Sequence, residues 1–291
     1  MKTLKLNAYA KINLGLDVVR KREDGYHEVR MIMQTINMYD HLTIKTLEED
    51  KIVISTNLTF LPTDENNLVY KAVKLIKEKH NIKTGVSIEL EKHIPVAAGM
   101  AGGSTDCASA LIGMNKLFDL KLSIQTLMDY GVTLGADVPY CILRGTALSE
   151  GIGEILTPLP AVPQCFVLIA KPPVHVSTKF VYENLKVNEL KHHPDIDGMV
   201  DAIKEGNLSG VATRLENVLE TVTIKEYPPI NKLKQIMLNA NAMNALMSGS
   251  GPTVFGLFEK EKDAQRAYKL CKAQNPSNVV YLTTFFNPKK K

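Results

Sequence analysis

The segment HIPVAAGMAGGSTDCASAL, residues 93–111, decides how the chain is interpreted, because its glycines stand between a predicted strand and a predicted helix. The strand is GVSIELEK (85–92), whose apolar residues alternate, and the helix is expected to begin near Ser104. Glycine lets a backbone approach an anion closely and adopt positive φ, and a helix start presents free N–H groups. The segment therefore predicts a phosphate-binding loop, with Asp106 available to cap the first helical turn.

This glycine loop has no lysine of its own, which excludes a Walker A motif, and it lacks the GxGxxG spacing of a dinucleotide fold. Taken alone, such a loop is more often a turn that binds nothing. A candidate cation is Lys11, in the apolar strand segment YAKINLGL (9–16), where burying an ammonium is costly unless an anion meets it. Asn13 lies two residues on, on the same face. The alternative is a lysine at a sheet edge that points into solvent.

Three segments taken together favour a phosphate-binding loop over a turn that binds nothing. AYAKINLGL (8–16), the glycine loop and ALMSGSGPTVFGLF (245–258) resemble, in order and spacing, the three signature motifs of the GHMP kinase superfamily. The resemblance implies an α+β fold of two domains, an N-terminal ribosomal-protein-S5-like α/β domain over residues 1–158 and a C-terminal ferredoxin-like α+β domain over 159–291. The proline-rich stretch LTPLPAVPQ (156–164) indicates the boundary. Beyond it, the predicted order of strand, helices, two strands, helix and strand is that of a ferredoxin-like unit.

The resemblance also implies that the chain is a kinase that uses ATP and Mg²⁺. Asp137, in TLGADVPYCI (133–142), would take the proton from the acceptor hydroxyl while Lys11 orients the reacting groups. An aspartate in a turn or at a helix cap is the alternative for Asp137, and the residues after it look like a strand. The residues implied to bind the nucleotide are Pro95, Val96, Ala97, Ala98, Gly99, Met100, Ala101, Gly102, Gly103, Ser104, Thr105, Gly249, Ser250 and Gly251. No carboxylate stands out as a metal ligand, so the ligands of Mg²⁺ stay open.

The acceptor is indicated by three further segments, KREDGYHEV (21–29), GADVPYCI (135–142) and PPVHVSTKFVYENL (172–185). They are similar to segments of the superfamily branch that phosphorylates the 2-hydroxyl of a cytidine-diphosphate alcohol, diphosphocytidyl methylerythritol, in the non-mevalonate isoprenoid pathway. The resemblance implies that tyrosine rings and a histidine clamp the cytosine. The implied substrate-binding residues are Asn13, Tyr26, His27, Thr178 and Tyr182. Without the resemblance, a turn histidine in water and a half-buried helix tyrosine are the simpler interpretations.

Composition limits the other possibilities. The chain has 291 residues, of which 45% are hydrophobic and 23% charged, and its net charge of +4 does not favour a nucleic-acid partner. The four cysteines form no CxxC pair, so we expect a reducing, cytoplasmic location without a disulfide framework. No apolar run approaches the ~20 residues of a membrane span, and charged residues interrupt the first stretch, which is not expected to be a signal peptide.

Two other functions remain possible at this point. One is another GHMP kinase, acting on mevalonate, phosphomevalonate or homoserine, although such an enzyme gives no reason for the DGYH sequence (24–27). The other is a catalytically silent nucleotide-binding protein on the same fold. The oligomeric state, monomer or homodimer, is left open by the sequence.

Overall fold

The structure, a computed structural model, describes residues 2–288. The chain divides into two compact units, each assembled from separate stretches. Within the described residues, the first unit holds residues 2–10, 38–96 and 101–143, and the second holds residues 11–37, 97–100 and 144–288. The stretches of the two units alternate along the chain. This division therefore does not correspond to a single boundary between an N-terminal and a C-terminal domain. The boundary at residue 158 stays a prediction.

Both units mix strands with helices. The strands of residues 2–288 are β1 (Thr3–Lys21), β2 (His27–Leu47), β3 (Ile52–Thr56), β4 (Gly85–Glu91), β5 (Thr146–Glu150), β6 (Ile155–Pro158), β7 (Phe166–Lys171), β8 (Glu216–Asn217), β9 (Asn244–Met247), β10 (Val254–Phe258) and β11 (Val279–Thr284). The α-helices of the same residues are α1 (Leu68–Lys79), α2 (Gly102–Leu117), α3 (Ile124–Val132), α4 (Val138–Leu143), α5 (Thr178–Asn184), α6 (Ile196–Lys204), α7 (Leu208–Thr213), α8 (Glu220–Glu226), α9 (Pro228–Asn239) and α10 (Glu261–Gln274). None of these helices is both long and apolar enough to cross a bilayer.

In the first unit, the strands follow the order β3-β4-β2-β1. Strand β3 pairs parallel with β4, and β4 pairs antiparallel with β2 in a register that sets His41 opposite Glu91. Apolar side chains at alternate positions of β2 and β4, such as Leu42 and Ile88, are buried. Helix α2 is buried over most of its length, with Leu111 and Met114 among its buried residues.

In the second unit, a four-stranded sheet has the order β11-β7-β10-β9, and each neighbouring pair is antiparallel. Along the chain these strands occur as β7, helices, β9, β10, helix α10 and β11. That order and arrangement are those of a ferredoxin-like unit, as the sequence predicts. Elsewhere in this unit, β2 pairs with β5, β5 with β6, and β1 with β8.

One local prediction is refined by two residues and another is wrong. Helix α2 begins at Gly102, two residues before Ser104. The residues after Asp137 form helix α4 and not a strand. Pro139 lies in the first turn of α4, where proline is tolerated because its missing N–H would have no helical partner.

Candidate active site

Lys11 is buried at the glycine loop. Its side chain projects from β1, the residue is only 5% exposed, and its Nζ donates to Asn13 Oδ1 at 2.8 Å and to the carbonyl oxygen of Gly99 at 3.3 Å. The backbone N–H of Lys11 donates to the carbonyl of Met100 at 3.2 Å. Lys11 is therefore not a solvent-facing lysine, and the alternation of the strand places Asn13 beside it as predicted.

Ser248 joins the same group, although the sequence did not single it out. Its hydroxyl donates to the carbonyl of Gly99 at 2.9 Å and accepts from the backbone N–H of Asn13 at 3.3 Å. Gly99 has φ of +71°, and a Cβ at this position would lie 2.2 Å from the carbonyl oxygen of Ser248. Only glycine fits here. Ser248 belongs to the SGSGP sequence that contains Gly249, and a wider view of that motif would have found it.

The segment after β9 is held by Asn217, which the sequence analysis also missed. The buried amide of Asn217 donates to the carbonyl oxygens of Met247 and Gly249, each at 2.8 Å, and accepts from the N–H of Leu219 at 3.0 Å. One residue further on, the hydroxyl of Ser250 lies 2.9 Å from that of Thr178. No local sequence pattern identifies Asn217, because it lies thirty residues before Met247 in the chain and belongs to the two-residue strand β8.

The glycine loop leads into the start of α2 through an unusual backbone. Ala97, Gly99 and Ala101 all have positive φ, of 50°, 71° and 55°. Ala101 is the N-cap of α2 and makes no capping bond with its side chain. The first helical hydrogen bond runs from Thr105 N to Ala101 O at 2.8 Å. The preceding amides, residues 102–104, have no partner inside the helix, which is the arrangement that binds phosphate.

Exposure differs along this loop. Val96, Ala97 and Gly103 are exposed, Pro95, Gly99, Ala101, Gly102 and Ser104 are half-buried, and Ala98, Met100 and Thr105 are buried. The hydroxyl of Thr105 has no hydrogen-bond partner in the part of the chain that the structure describes. The loop therefore presents backbone and the Ser104 hydroxyl more readily than the Thr105 hydroxyl.

Asp106 does not cap the first turn of α2, so that prediction is wrong. Its side chain points into the core, where Oδ2 lies 2.6 Å from Nζ of Lys92. Burial raises the pKa of the Asp106 carboxyl well above its usual value, and the charge of Asp40 adds to this, while Lys92 opposes it. Helix starts reward a short polar side chain at the N-cap itself, and Asp106 is five residues beyond Ala101.

Asp137 occupies the position just before α4, in the first unit, together with Pro95 and residues 101–105. Its carbonyl accepts the N–H of Cys141 at 3.1 Å, so its backbone starts the helix. The residue is half-buried. Lys11, Asn13 and Gly99 belong to the second unit, where the contacts above bring them together with Ser248.

The aromatic residues predicted for the acceptor are partly brought together. The rings of His27 and Tyr182 lie 5.1 Å apart with an angle of 42° between their planes, whereas Tyr26 is 60% exposed. Burial lowers the pKa of His27, and the charge of Lys21 lowers it further, so the imidazole is neutral at neutral pH. A cavity of about 300 Å³ opens beside His27, lined also by Lys21 and Lys186.

Comparison with known proteins shows which family the chain resembles. Two family models match, "GHMP kinases N terminal domain" over residues 67–145 and "GHMP kinases C terminal" over residues 199–275. A 4-diphosphocytidyl-2-C-methyl-D-erythritol kinase from Lachnoclostridium phytofermentans is 58% identical over 289 residues, 99% of each chain.

Solved structures give the same result. A crystal structure of a 4-(cytidine 5'-diphospho)-2C-methyl-D-erythritol kinase has a TM-score of 0.84 and 30% identity, over 98% of this chain and 100% of that one. A homoserine kinase from Cytophaga hutchinsonii, at 22% identity and a TM-score of 0.79 over 98% and 96% of the two chains, shares the fold. The chain therefore belongs to the GHMP kinase family, within the group of proteins named 4-diphosphocytidyl-2-C-methyl-D-erythritol kinase.

Proposed function

We propose that the chain is an ATP-dependent kinase that phosphorylates the 2-hydroxyl of 4-diphosphocytidyl-2-C-methyl-D-erythritol, in the non-mevalonate isoprenoid pathway. Relatives named for this acceptor match it over nearly the full chain. The observation that carries the proposal is the buried ammonium of Lys11 at the carbonyl of Gly99, because it supplies the cation that the glycine loop lacks. A lone glycine turn has no need of such a residue.

The nucleotide half of the site consists of backbone more than of side chains. The amides at the start of α2 suit the phosphates of ATP, and the positive end of a 16-residue helix supports their charge. Gly99 and Gly249 have φ of 71° and 58°, and a Cβ on either would meet the backbone of the other segment, so these glycines allow residues 99 and 248–249 to lie close together. ATP is thus expected to bind by its phosphates along 99–105 and 249–251.

We propose that Mg²⁺ enters this site together with the nucleotide. The described residues contain no group of three or more His, Cys, Asp or Glu side chains placed to hold a metal ion. Mg²⁺ commonly binds through substrate phosphates with one or two protein ligands, so the donor set agrees with an ion that arrives as MgATP. Bound in this way, the ion would neutralise charge on the phosphates.

In the reaction itself, the oxygen of the acceptor hydroxyl forms a bond to the γ-phosphorus, and the bond from that phosphorus to the β-bridging oxygen breaks to release ADP. We propose that Asp137 receives the hydroxyl proton and that Lys11 stabilises the charge of the transferring group. Asn13 accepts from Lys11 through Oδ1, so we assign it the task of orienting the ammonium as well as contacting the substrate.

The acceptor half rests on His27 and Tyr182. A neutral imidazole offers one donor and one acceptor nitrogen, which suits the mixed hydrogen-bonding edge of cytosine, and the ring of Tyr182 offers a face for stacking. Tyr26, being exposed, is available to close over the base. Thr178, which contacts Ser250, is proposed to link this half to the nucleotide half.

A domain boundary and a cellular compartment are proposed together with this function. The two family models match on either side of residue 158, which supports a boundary there between the N-terminal and C-terminal domains. The cytoplasm is the proposed compartment, since it supplies ATP and suits free, buried cysteines such as Cys107.

A coupled ADP-release assay tests the proposal. The parent chain is offered 4-diphosphocytidyl-2-C-methyl-D-erythritol, mevalonate and homoserine, and ³¹P NMR identifies the hydroxyl that carries the new phosphate. Lys11→Ala is expected to lower kcat/KM at least about 10²-fold, as loss of a preorganised donor does. Lys5→Ala removes an exposed lysine from the same strand and should leave activity unchanged.

The outcomes separate the alternatives. Faster transfer to mevalonate or homoserine would assign the chain to another GHMP activity. Tight ATP binding with no transfer to any acceptor would make it a silent nucleotide-binding protein. Equal activity of Lys11→Ala and Lys5→Ala would remove Lys11 from the site.

A further inference from the structure

A buried cluster of three charged side chains lies in the first unit and has no role in the reaction described above. Asp40 comes from β2, Lys92 follows β4, and Asp106 comes from α2. All three residues are more than nine-tenths buried. Nζ of Lys92 forms ion pairs with Asp40 Oδ2 and, at 2.6 Å, with Asp106 Oδ2. Desolvation of such charges is costly, and removing one partner of a buried pair leaves the other charge uncompensated.

The cluster also holds the backbone that enters the glycine loop. Oδ1 of Asp40 accepts the N–H groups of His93 and Ile94 at 2.5 and 2.7 Å. Just before them, Asn57 accepts the N–H of Lys92 at 2.8 Å and donates to its carbonyl at 3.1 Å. The three residues before Pro95 are therefore fixed by side chains rather than by strand pairing.

The end of the loop meets the same cluster. A Cβ on Gly102, the first residue of α2, would lie 3.3 Å from Nζ of Lys92 and 3.2 Å from Cγ2 of Ile94. Asp106, one turn further on, contributes its carboxyl to Lys92. Both ends of the stretch 95–105 therefore converge on one ammonium group.

The backbone between these two anchors is strained. Ala97 and Ala101 are non-glycine residues in the left-handed region, at φ of 50° and 55°. Such conformations persist only where the surroundings enforce them, and they concentrate at functional sites. Anchoring both ends of a stretch reduces its freedom, so an anchored loop keeps its amides in place before the ligand arrives.

We propose that Lys92, Asp40 and Asp106 are positioning residues that hold the phosphate loop in its nucleotide-binding conformation, and so set the affinity for ATP without touching it. This inference rests on the proposed function, because it concerns the same loop. Asp106 is the link between α2 and the cluster, and replacing it leaves Lys92 paired with Asp40. The cluster then still contains one positive and one negative charge, so such variants are expected to fold.

The test compares Asp106→Ala, which breaks the link, with Asp106→Asn, whose amide oxygen can still accept from Lys92. The matched control is Ser109→Ala, on the same helix, at an equally buried position, with a hydroxyl that has no hydrogen-bond partner among residues 2–288.

Two quantities are measured on each protein without acceptor, the Kd for ATP by calorimetry and the hydrogen–deuterium exchange of a peptide covering residues 95–105. We expect Asp106→Ala to raise Kd at least tenfold and to speed exchange of the ligand-free loop. With acceptor, KM for ATP should rise while kcat stays within about threefold. Asp106→Asn and Ser109→Ala should match the parent within threefold in all of these.

An unchanged Kd, or unchanged exchange, in Asp106→Ala overturns the positioning role, even if its Tm falls, and leaves the proposed function intact. Equal losses in Asp106→Ala and Asp106→Asn also overturn it, because they would show that the carboxyl charge and not the link matters. A parent chain that fails to bind ATP at all removes the proposed function and this inference together.

Discussion

Replacing Gly99 by alanine tests the contact on which the candidate site depends most directly. The added methyl group has two separate effects. The first is conformational, because φ of +71° lies in the left-handed region that side chains disfavour. The second is steric, because the Cβ position is 2.2 Å from the carbonyl oxygen of Ser248, a backbone atom that cannot rotate away.

Each effect has its own cost in the free energy of unfolding. The left-handed conformation costs about 1–2 kcal/mol for a residue with a Cβ. Relieving the overlap requires a backbone shift of the kind that overpacking causes, at about 1–3 kcal/mol. Together we expect a loss of about 2–5 kcal/mol in the free energy of unfolding, a large part of the 5–15 kcal/mol typical of a folded protein.

Gly206→Ala is the matched control, because it contains the first effect without the second. Gly206 follows α6 with φ of +67°, and among the described residues no heavy atom beyond its chain neighbours lies within 4 Å of its Cβ position. Its expected cost is about 1–2 kcal/mol. Thermal unfolding is followed by circular dichroism. We expect Gly206→Ala to lower Tm by a few degrees and Gly99→Ala to lower it about twice as much or more.

Activity separates the two variants further. Gly99→Ala displaces the carbonyl that accepts from Lys11, so its kcat/KM at a temperature where it is folded should fall by more than tenfold. Gly206→Ala should keep the parent value. If both variants lose the same stability and keep the same activity, the close packing of Gly99 on Ser248 is not a property of the protein in solution, and the reasoning about the loop fails.

Three further predictions are more limited. Asp137→Asn should keep Tm within about 2 °C but lose about 10²–10⁴ in kcat; turnover within a few-fold of the parent would exclude the general-base role. Lys21→Gln should raise the pKa of His27, as followed by NMR titration, but only partly, because burial is the larger cause of its depression; an unmoved pKa would mean that Lys21 is too distant to act. Cys107, whose pKa is raised to about 12 by burial, should react with iodoacetamide at pH 8 only after unfolding in urea, as measured by mass spectrometry; rapid labelling of the folded chain would contradict its burial.

The sequence predicts those features of this protein that short stretches of residues determine. The ferredoxin-like order of strands follows from local periodicity. The apolar strand around Lys11 leaves a solvent-facing lysine open, and only the three motifs together favour the buried position that the structure shows. Asn13 appears beside Lys11 because the period of a strand is two, whatever the tertiary fold. The strand periodicity and the placement of Asn13 need only residues within a few positions of one another.

The wrong predictions come from residues whose role depends on distant partners. Asp106 has the composition and place of a helix cap, yet a buried lysine fourteen positions earlier in the chain takes its carboxyl. The apolar run after Asp137 cannot be assigned to strand or helix by periodicity alone, since it has only six residues. Asn217 was missed for the same reason, because its partners lie thirty residues later.

The cluster at Lys92 shows why contacts between distant residues depend on the register in which two strands pair. Strand β2 pairs with β4 so that His41 stands opposite Glu91, and in an antiparallel ladder the next pair outward is Asp40 with Lys92. A slip of one residue would turn Asp40 to the other face of the sheet and leave Lys92 buried against Asp106 alone. The loop would then lose the acceptor that holds the amides of His93 and Ile94. The proposed phosphate site, built mainly from backbone, would thus depend on the pairing of two strands that are assigned no ligand themselves.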